Sequence, residues 1–264
     1  MKKLLWILIP ALLLVACSRV PITERKQVHL LPESQMISMS LAAYGDFLRA
    51  NDVVESGSNF NTVKRVTDKL IPAVTSVLAT EGYSDLIEGY EWEVNLVESK
   101  DVNAWCMPGG KIVVYTGILP YTKDDAGLAV VLGHEIAHAV ARHGNERMSQ
   151  QLLAATGYMA LDLAMTNQPT ETRNLLLSAV GVGATVGVLL PFSRLHESEA
   201  DRLGLIFMAK AGYDPHSAIG FWERMSTTGI NMPEFLSTHP SDETRIANIR
   251  DTYMNEAMKY YTGN

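Results

Sequence analysis

His134-Glu135-Ile136-Ala137-His138 is the stretch that decides how the middle of this chain folds and what it can bind. Residues i and i+4 lie on the same face of an α-helix. A helix over this stretch therefore points the imidazoles of His134 and His138 toward one metal ion. Glu135 lies one step round the helix, near enough to hold a water molecule beside that ion.

The helix around these residues is predicted to be buried. It should begin near Lys123-Asp124-Asp125, whose acidic side chains suit a helix N-terminus, and end at Gly144 as a C-cap. The residues between are apolar on most sides. Two histidines and a glutamate are costly to bury there unless a metal ion satisfies them. The stretch thus fits the H-E-x-x-H arrangement of zinc peptidases; the alternative is two core histidines bonded to backbone carbonyls.

A catalytic zinc ion usually has three protein ligands and an open position, so a third ligand is needed. The candidate lies in the acidic run His196-Glu197-Ser198-Glu199-Ala200-Asp201, which opens a second amphipathic helix. Glu197 and Asp201 share a helix face, whereas Glu199 points away from it. Glu197 is predicted as the ligand, and Asp201 as the acceptor of a hydrogen bond from a ligand histidine. The alternative is a solvated helix face.

Two further segments accompany these motifs. Residues 103–119 read NAWCMPGGKIVVYTGIL, and residues 238–241 read THPS, with Arg245 beyond them. Together with HEIAH and ESEAD they resemble metallopeptidase family forty-eight, the family of the CAAX prenyl protease and HtpX, and in it the soluble bacterial lipoprotein branch. The resemblance covers roughly residues 60–253, with its motifs in the family's order.

The resemblance implies an α+β fold, a mostly helical zincin-like metallopeptidase domain with a small sheet beside the active-site helix. It implies one Zn²⁺ per chain, with Glu135 as the general base for peptide hydrolysis. His239 and Arg245 match the positions that stabilise the developing oxyanion or position the substrate. His239 could instead act as a fourth zinc ligand that closes the open position, or simply cap the following helix.

Residues 111–115 are rich in β-branched and aromatic residues and follow the turn signal Pro108-Gly109-Gly110, so they should form a strand. In the resembled family this strand is the sheet edge beside the zinc, where an extended peptide could pair. An ordinary buried strand is the alternative. The residues assigned to substrate binding on this basis are Asn103, Ala104, Gly109, Gly110 and Lys111.

The rest of the chain is predicted to be mostly helical, with a strand over residues 91–98. Residues 175–190 are uncharged and short for a membrane span. A buried helix, or a mobile segment over the active site, is the preferred interpretation of this segment.

The N-terminal sequence has the pattern of an export signal. A basic Met1-Lys2-Lys3 precedes an apolar run, and Leu14-Val15-Ala16-Cys17 resembles a bacterial lipobox. The predicted organisation is a lipoprotein signal peptide over 1–16, a helical extension over 17–57 and the metallopeptidase domain over 58–264. Cys17 would carry the lipid, and Ser18 favours the outer membrane, facing the periplasm. A plain secretory signal is the alternative.

The net charge and the cysteine content of the chain argue against some classes of function. The formal charge of −7 becomes −9 when Lys2 and Lys3 are removed, which argues against nucleic-acid binding. Membrane contact is expected through the N-terminal lipid only. Once Cys17 is lipidated, Cys106 alone remains, so the mature chain can form no intrachain disulfide.

Three functions remain open at this point. The leading hypothesis is a zinc endopeptidase of the cell envelope whose partners are unfolded or misassembled proteins. The second is a chaperone or assembly factor for outer-membrane proteins, with proteolysis minor or latched. The third, a metallohydrolase of cell-wall cross-links, ranks low because no cell-wall-binding repeat is present. The reaction class rests on the residues, and the quality-control role on the resemblance.

Overall fold

The computed structural model describes residues 17–166, 168–184, 190–226, 235–236, 239 and 243–263. The predicted signal peptide lies outside the described residues, as do Thr238, Pro240 and Ser241 of the THPS segment. So do residues 185–189 of the uncharged segment. The described chain is mostly helical with two small sheets, which confirms the predicted α+β class.

The helices and strands follow one another in an irregular order. The strands are β1 (Cys17–Arg19), β2 (Lys26–Val28), β3 (Val53–Val54), β4 (Glu93–Val97), β5 (Ala104–Met107) and β6 (Lys111–Tyr115). The α-helices are α1 (Glu33–Ala50), α2 (Ser58–Thr80), α3 (Leu119–Thr122), α4 (Asp125–Val140), α5 (His143–Ala164), α6 (Thr170–Ala184), α7 (Leu190–Lys210), α8 (Ser217–Ser226), α9 (Glu243–Asn248) and α10 (Met254–Ala257). Short 3₁₀ turns span Ser84–Ile87 and Thr116–Ile118, and a π-helical segment, Ile249–Tyr253, joins α9 to α10.

The chain divides into two compact units. The first comprises Met1–Pro32 and Arg142–His196, and the second comprises Glu33–Ala141 and Glu197–Asn264. The division falls within α7, between His196 and Glu197. The predicted boundaries after residues 16 and 57 stay predictions.

The second unit holds a four-stranded sheet in the order β3-β4-β6-β5. Strand β6 pairs in parallel with β4 and antiparallel with β5, and Lys111 to Val114 are all buried. The prediction that residues 111–115 form the sheet edge is therefore wrong, and the alternative of a buried strand is correct. An apolar run such as Ile112-Val113-Val114 suits a central strand covered on both faces. The edge strands are β3 and β5.

A tight turn joins β5 to β6, as Pro108-Gly109-Gly110 predicts. Gly109 and Gly110 have φ values of 89° and 80°, in the left-handed region where glycine is favoured. The Gly110 N–H donates to the Met107 carbonyl at 3.1 Å. A Cβ on Gly110 would lie 2.8 Å from the Trp92 ring, so this position is also closed sterically.

Helix α4 begins as predicted. Asp124 is its N-cap, and the carboxylate accepts a hydrogen bond from the Gly127 N–H at 2.8 Å. The helix is almost wholly buried and packs on β5 and α2. Its predicted end at Gly144 is wrong, because α4 ends at Val140 and Gly144 lies inside α5. The left-handed residue between the two helices is Arg142, with φ 57°.

A buried polar cluster holds the first unit together. Arg25 makes two hydrogen bonds to the Glu146 carboxylate, at 2.9 and 2.6 Å, and His196 Nε2 lies 2.8 Å from the same carboxylate. The ring of His143 stacks on His196 with 4.3 Å between centroids. The cluster ties the loop after β1 to α5 and to the first turns of α7. His143 is thus a core residue of this unit.

The part of α5 and α6 that lies beyond this polar cluster is much less buried than the cluster itself. Between residues 150 and 181, Leu177 is the only buried side chain among those described. The expectation that residues 175–190 form a buried helix is therefore wrong for their described part. Two paired helices have too few neighbours to cover more than one shared face. Among the described residues, no helix has the length and apolar content to cross a membrane.

Candidate metal centre

Helix α4 presents two imidazoles side by side. The Nε2 atoms of His134 and His138 lie 3.0 Å apart, with 4.7 Å between ring centroids. This is the geometry that their spacing of four residues predicts. His134 is buried, and His138 is partly exposed.

Helix α7 brings Glu197 to the same point. Its carboxylate oxygens lie 3.3 Å from His134 Nε2 and 3.3 Å from His138 Nε2. His239 completes the cluster, with Nδ1 2.9 Å from Glu197 Oε2 and 3.1 Å from His134 Nε2. The ligand atoms of these four residues all lie within 4.8 Å of one another.

The donor set fits zinc. Imidazole nitrogens and a carboxylate oxygen are ligands that Zn²⁺ takes in proteins, about 2.0–2.1 Å from the ion. Tetrahedral ligand atoms at that distance lie about 3.3 Å from each other, which matches the 3.3 Å separations between Glu197 and the two imidazoles of α4. With His239 included the cluster has four ligands; without it, three ligands and an open position.

A second layer of contacts fixes the orientation of His134. Asp201, one turn after Glu197, places Oδ1 3.0 Å from His134 Nδ1. Arg245 donates to both oxygens of Asp201, at 2.7 and 2.6 Å. The Arg245 guanidinium lies 3.4 Å above the buried ring of Trp222. These contacts leave Nε2 of His134 directed at the cluster, as the predicted role of Asp201 requires.

Arg245 supports the metal cluster through its hydrogen bonds to the residues of the site. Besides Asp201, it donates from Nη1 to the His239 carbonyl at 3.3 Å, and the same nitrogen lies 3.5 Å from Glu197. The predicted alternatives for Arg245 were oxyanion stabilisation and substrate positioning. The structure places the guanidinium behind the ligands, where it contacts the Asp201 and Glu197 side chains and the His239 backbone.

The two helices approach each other closely beneath the cluster. A Cβ on Gly133 would lie 2.8 Å from the Gly204 carbonyl oxygen, and one on Gly204 would lie 2.8 Å from the His134 nitrogen. The backbones of α4 and α7 therefore touch where a larger residue would separate them. Neither this close contact nor the packing of Arg245 on Trp222 follows from the sequence patterns described above. A glycine inside each helix, just before His134 and three residues after Asp201, is the signal that points to the helix contact.

Glu135 faces the cluster from α4. It is buried, and His239 Nε2 lies 3.4 Å from its Oε1, which accepts no hydrogen bond from the described residues. Burial, with the negative charge of Glu197 nearby, outweighs the attraction of His239 and Arg245 and raises the pKa of Glu135 to about 7. A carboxyl with a pKa near neutrality can take up and release a proton at working pH.

The charges at the cluster favour the ionised carboxylates. Burial alone would raise the pKa of Glu197, but the facing imidazoles, His138 foremost, outweigh it and lower that pKa. Burial would likewise raise the pKa of Asp201, and the charge of Arg245 outweighs it. Both groups are therefore anions that can hold a cation or an imidazole N–H.

Cys106 lies on β5 near Glu135. Burial and the Glu135 charge raise the pKa of its thiol well above the ordinary value. The thiol is therefore protonated at neutral pH, and a protonated thiol is a poor nucleophile. Among the described residues Cys106 is a free cysteine.

Of the five residues predicted to bind substrate, two lie at the start of the edge strand β5, and three lie in the following turn and the interior strand β6. Asn103 precedes the edge strand β5, and Ala104 begins it. Gly109 and Gly110 form the turn, and Lys111 opens the interior strand β6. The Lys111 side chain is 7% exposed and donates to the Glu91 carbonyl at 2.8 Å, so it stabilises the sheet.

Comparison with known proteins relates these residues to a family. The model of peptidase family M48 matches residues 60–253. Mitochondrial metalloendopeptidase OMA1 of Schizosaccharomyces pombe is 39% identical over 66% of this chain and 49% of the relative. Metalloendopeptidase OMA1 of Homo sapiens is 32% identical over 90% of this chain and 46% of the relative. Beta-barrel assembly-enhancing protease of Escherichia coli K12 is 28% identical over 59% of this chain and 33% of the relative. The chain thus spans a third to a half of the length of these relatives.

Proposed function

The chain belongs to peptidase family M48, and from this premise we propose that it is a zinc endopeptidase that hydrolyses misfolded or misassembled proteins of the cell envelope. The observation that carries the proposal is the convergence of His134, His138 and Glu197 on one point, with Glu135 beside it. A zinc ion bound there supplies a Lewis acid that activates water and polarises a peptide carbonyl.

The side chains around that point have distinct roles. Glu135, with its raised pKa, accepts a proton from the attacking water and delivers it to the leaving amine. Arg245 and Asp201 orient His134 through their hydrogen bonds. His239 lies within reach of both Glu135 and Glu197, so its N–H can stabilise negative charge that develops on the substrate carbonyl.

We propose β5 as the strand to which an extended substrate adds. It lies at the edge of the sheet and packs on α4, the helix that carries the two histidines. Backbone pairing at an edge recognises any extended polypeptide with little selection of side chains. Such recognition suits substrates that are unfolded and diverse in sequence.

The lipobox-like Leu14-Val15-Ala16-Cys17 supports a lipid-anchored location in the cell envelope, facing the periplasm. One relative is a protease that enhances β-barrel assembly in Escherichia coli, and others are mitochondrial metalloendopeptidases. On this basis the proposed substrates are envelope proteins that fail to assemble.

The position of His239 favours a second candidate function. Its Nδ1 lies 2.9 Å from Glu197 Oε2, so it can serve as a fourth ligand and close the open position. A chain in this state would be a latched peptidase. It could act mainly as a chaperone or assembly factor for outer-membrane proteins.

Casein cleavage by the purified chain, with and without chelator, tests the proposal. Glu135→Gln should lower the rate by about 10²–10⁴ while bound zinc, measured by elemental analysis, is unchanged. The matched control Glu98→Gln alters an exposed carboxylate on the same unit and should cleave like the natural chain. Absence of zinc, or equal cleavage by Glu135→Gln, would overturn the peptidase proposal. A His239→Ala variant that gains activity would support the latched state.

A further inference from the structure

The far part of the α5–α6 helix pair exposes large apolar side chains. Met159, Leu163 and Leu175 are 71%, 73% and 72% exposed. We name as the α5–α6 surface the exposed side chains of Leu153, Met159, Leu163, Leu175, Leu176 and Val180.

This surface is nearly free of charge. Between Arg147 and Glu171 the only charged residue is Asp162, and its carboxylate pairs with Arg173 of α6 at 2.6 Å. No charged residue follows Arg173 until Arg194. Among the described residues from 150 to 181, Leu177 alone is buried, so this part of the two helices buries too little surface to balance the entropy of ordering it in water. The surface therefore requires an apolar environment.

We infer that this environment is the surface of a lipid bilayer, on which the α5–α6 surface lies. Cys17, the proposed site of lipid attachment, belongs to the same compact unit as α5 and α6. Residues 17–32 and 142–196 of this unit carry seven basic and four acidic side chains, while the second unit carries 13 and 25. The unit with the apolar surface is thus positive in an acidic protein, which suits anionic lipid headgroups.

The helix pair lies along the bilayer and does not cross it. No helix in the described part of the chain is long and apolar enough to span. The connection between the helices is polar, with Thr166, Gln168, Thr170 and Glu171 at the tip, so insertion tip first would bury these groups. A parallel orientation keeps the tip in water and the apolar side chains at the headgroup boundary. This departs from the expectation that the lipid anchor is the only membrane contact.

Fluorescence quenching on vesicles tests the inference. The whole chain is reconstituted into vesicles of phosphatidylethanolamine and phosphatidylglycerol, with a fluorescent amino acid at Leu163. The matched control carries it at Met39, an exposed apolar residue of α1 in the second unit. Brominated lipid should quench the Leu163 label at least about threefold more strongly than the Met39 label, and aqueous iodide should show the reverse.

Two other outcomes would overturn the inference. Equal quenching of both labels by iodide would place the α5–α6 surface in water. Protection of the Leu163 label from both quenchers would mean that protein covers it, either a second copy of the chain or a client polypeptide.

A charged double variant provides a second test. Met159→Glu with Leu163→Glu should reduce lipid quenching of a label at Leu175, whereas Met39→Glu with Leu41→Glu should not. Casein cleavage by these variants in detergent should match that of the natural chain. The quenching readout does not depend on catalysis, so failure of the peptidase proposal and failure of this inference are separately visible. Unchanged quenching in the double variant would contradict bilayer docking.

Discussion

At the scale of single residues, the orientation of the metal-binding side chains depends on residues outside the set of four ligands. His134 could rotate about its side-chain bonds, and the Asp201 carboxylate at 3.0 Å from Nδ1 prevents this. Asp201 is in turn held by two hydrogen bonds from Arg245. Because these groups are buried, each bond is worth more than it would be in water.

Asp201→Asn should weaken zinc binding by about 10- to 100-fold, since a neutral amide oxygen is a weaker acceptor for His134 than a carboxylate and Arg245 loses its counter-charge. Competition with a chromogenic chelator measures the affinity. The control is Asp214→Asn, which breaks a similar carboxylate–imidazole pair, 2.7 Å from His216, at an exposed site. Equal zinc affinity in the two variants would show that Asp201 does not position the ligand.

At the scale of secondary-structure elements, the crossing of α4 and α7 decides whether the cluster forms. His134 and His138 belong to one helix and Glu197 to the other, so their separation depends on how closely the helices approach. Gly133 and Gly204 allow backbone contact at this crossing. A methyl group there has no space to occupy, so the helices must move apart.

Gly204→Ala should lower the free energy of unfolding by about 1–3 kcal/mol and weaken zinc binding, because its Cβ would lie 2.8 Å from the His134 nitrogen. Urea denaturation and chelator competition measure the two effects. Gly157→Ala, in α5, is the control, since nothing lies within 4 Å of its added Cβ. That substitution should be neutral or stabilise by up to about 1 kcal/mol. Similar stability in both variants would disprove the close crossing.

At the scale of the whole molecule, the two units differ in charge and in what stabilises them. The second unit has the sheet, the buried helix α4 and the metal cluster. The first unit depends on one buried carboxylate, Glu146, which is 2% exposed and holds Arg25 and His196. Burial alone would raise the pKa of Glu146, but the hydrogen bonds from His196 and Arg25 outweigh it and lower that pKa to about 2.

Glu146→Gln should therefore destabilise the first unit by about 3 kcal/mol at neutral pH, as measured by hydrogen exchange of the α5 amides. The folded-state pKa lies below the ordinary value of 4.5. The stabilisation by Glu146 is thus fully present above pH 4.5 and is lost as the pH falls toward 2. The difference between variant and natural chain should shrink over that range.

The titration of His29 accompanies that of Glu146 and is coupled to it. Burial lowers the pKa of His29 to about 4, whereas the Glu146 charge acts in the opposite direction. The stability that His29 contributes therefore falls as the pH drops from 6.5 to 4, and removal of the Glu146 charge extends this loss to lower pH in the variant. Glu24→Gln, which removes an exposed pair with Arg19, is the control and should change stability little. A difference between Glu146→Gln and the natural chain that does not vary with pH would contradict the ionised state of Glu146.

The local features of this protein can be predicted from its amino-acid sequence. The spacing of His134 and His138 places them on one helix face, Asp124 caps that helix, and the Pro108-Gly109-Gly110 turn follows from glycine's access to positive φ. Glu197 and Asp201 were also identified from their shared face. These features depend on neighbours a few residues away, so the periods and caps of the chain are enough to predict them.

Three features instead depend on long-range contacts, namely which strands lie at the sheet edges, where α4 ends and what covers α5 and α6. Strand β6 lies inside the sheet because β4, distant in sequence, pairs with its other side. Helix α4 ends at Val140 because Arg142 takes a left-handed conformation that its residue type does not favour. The apolar sequence of residues 175–190 predicts a buried helix or a mobile segment over the active site, yet Leu175 is exposed, since no other element packs over it among the described residues. Apolar sequence shows that a side chain must leave water, and only the neighbours brought by folding or docking decide where it goes.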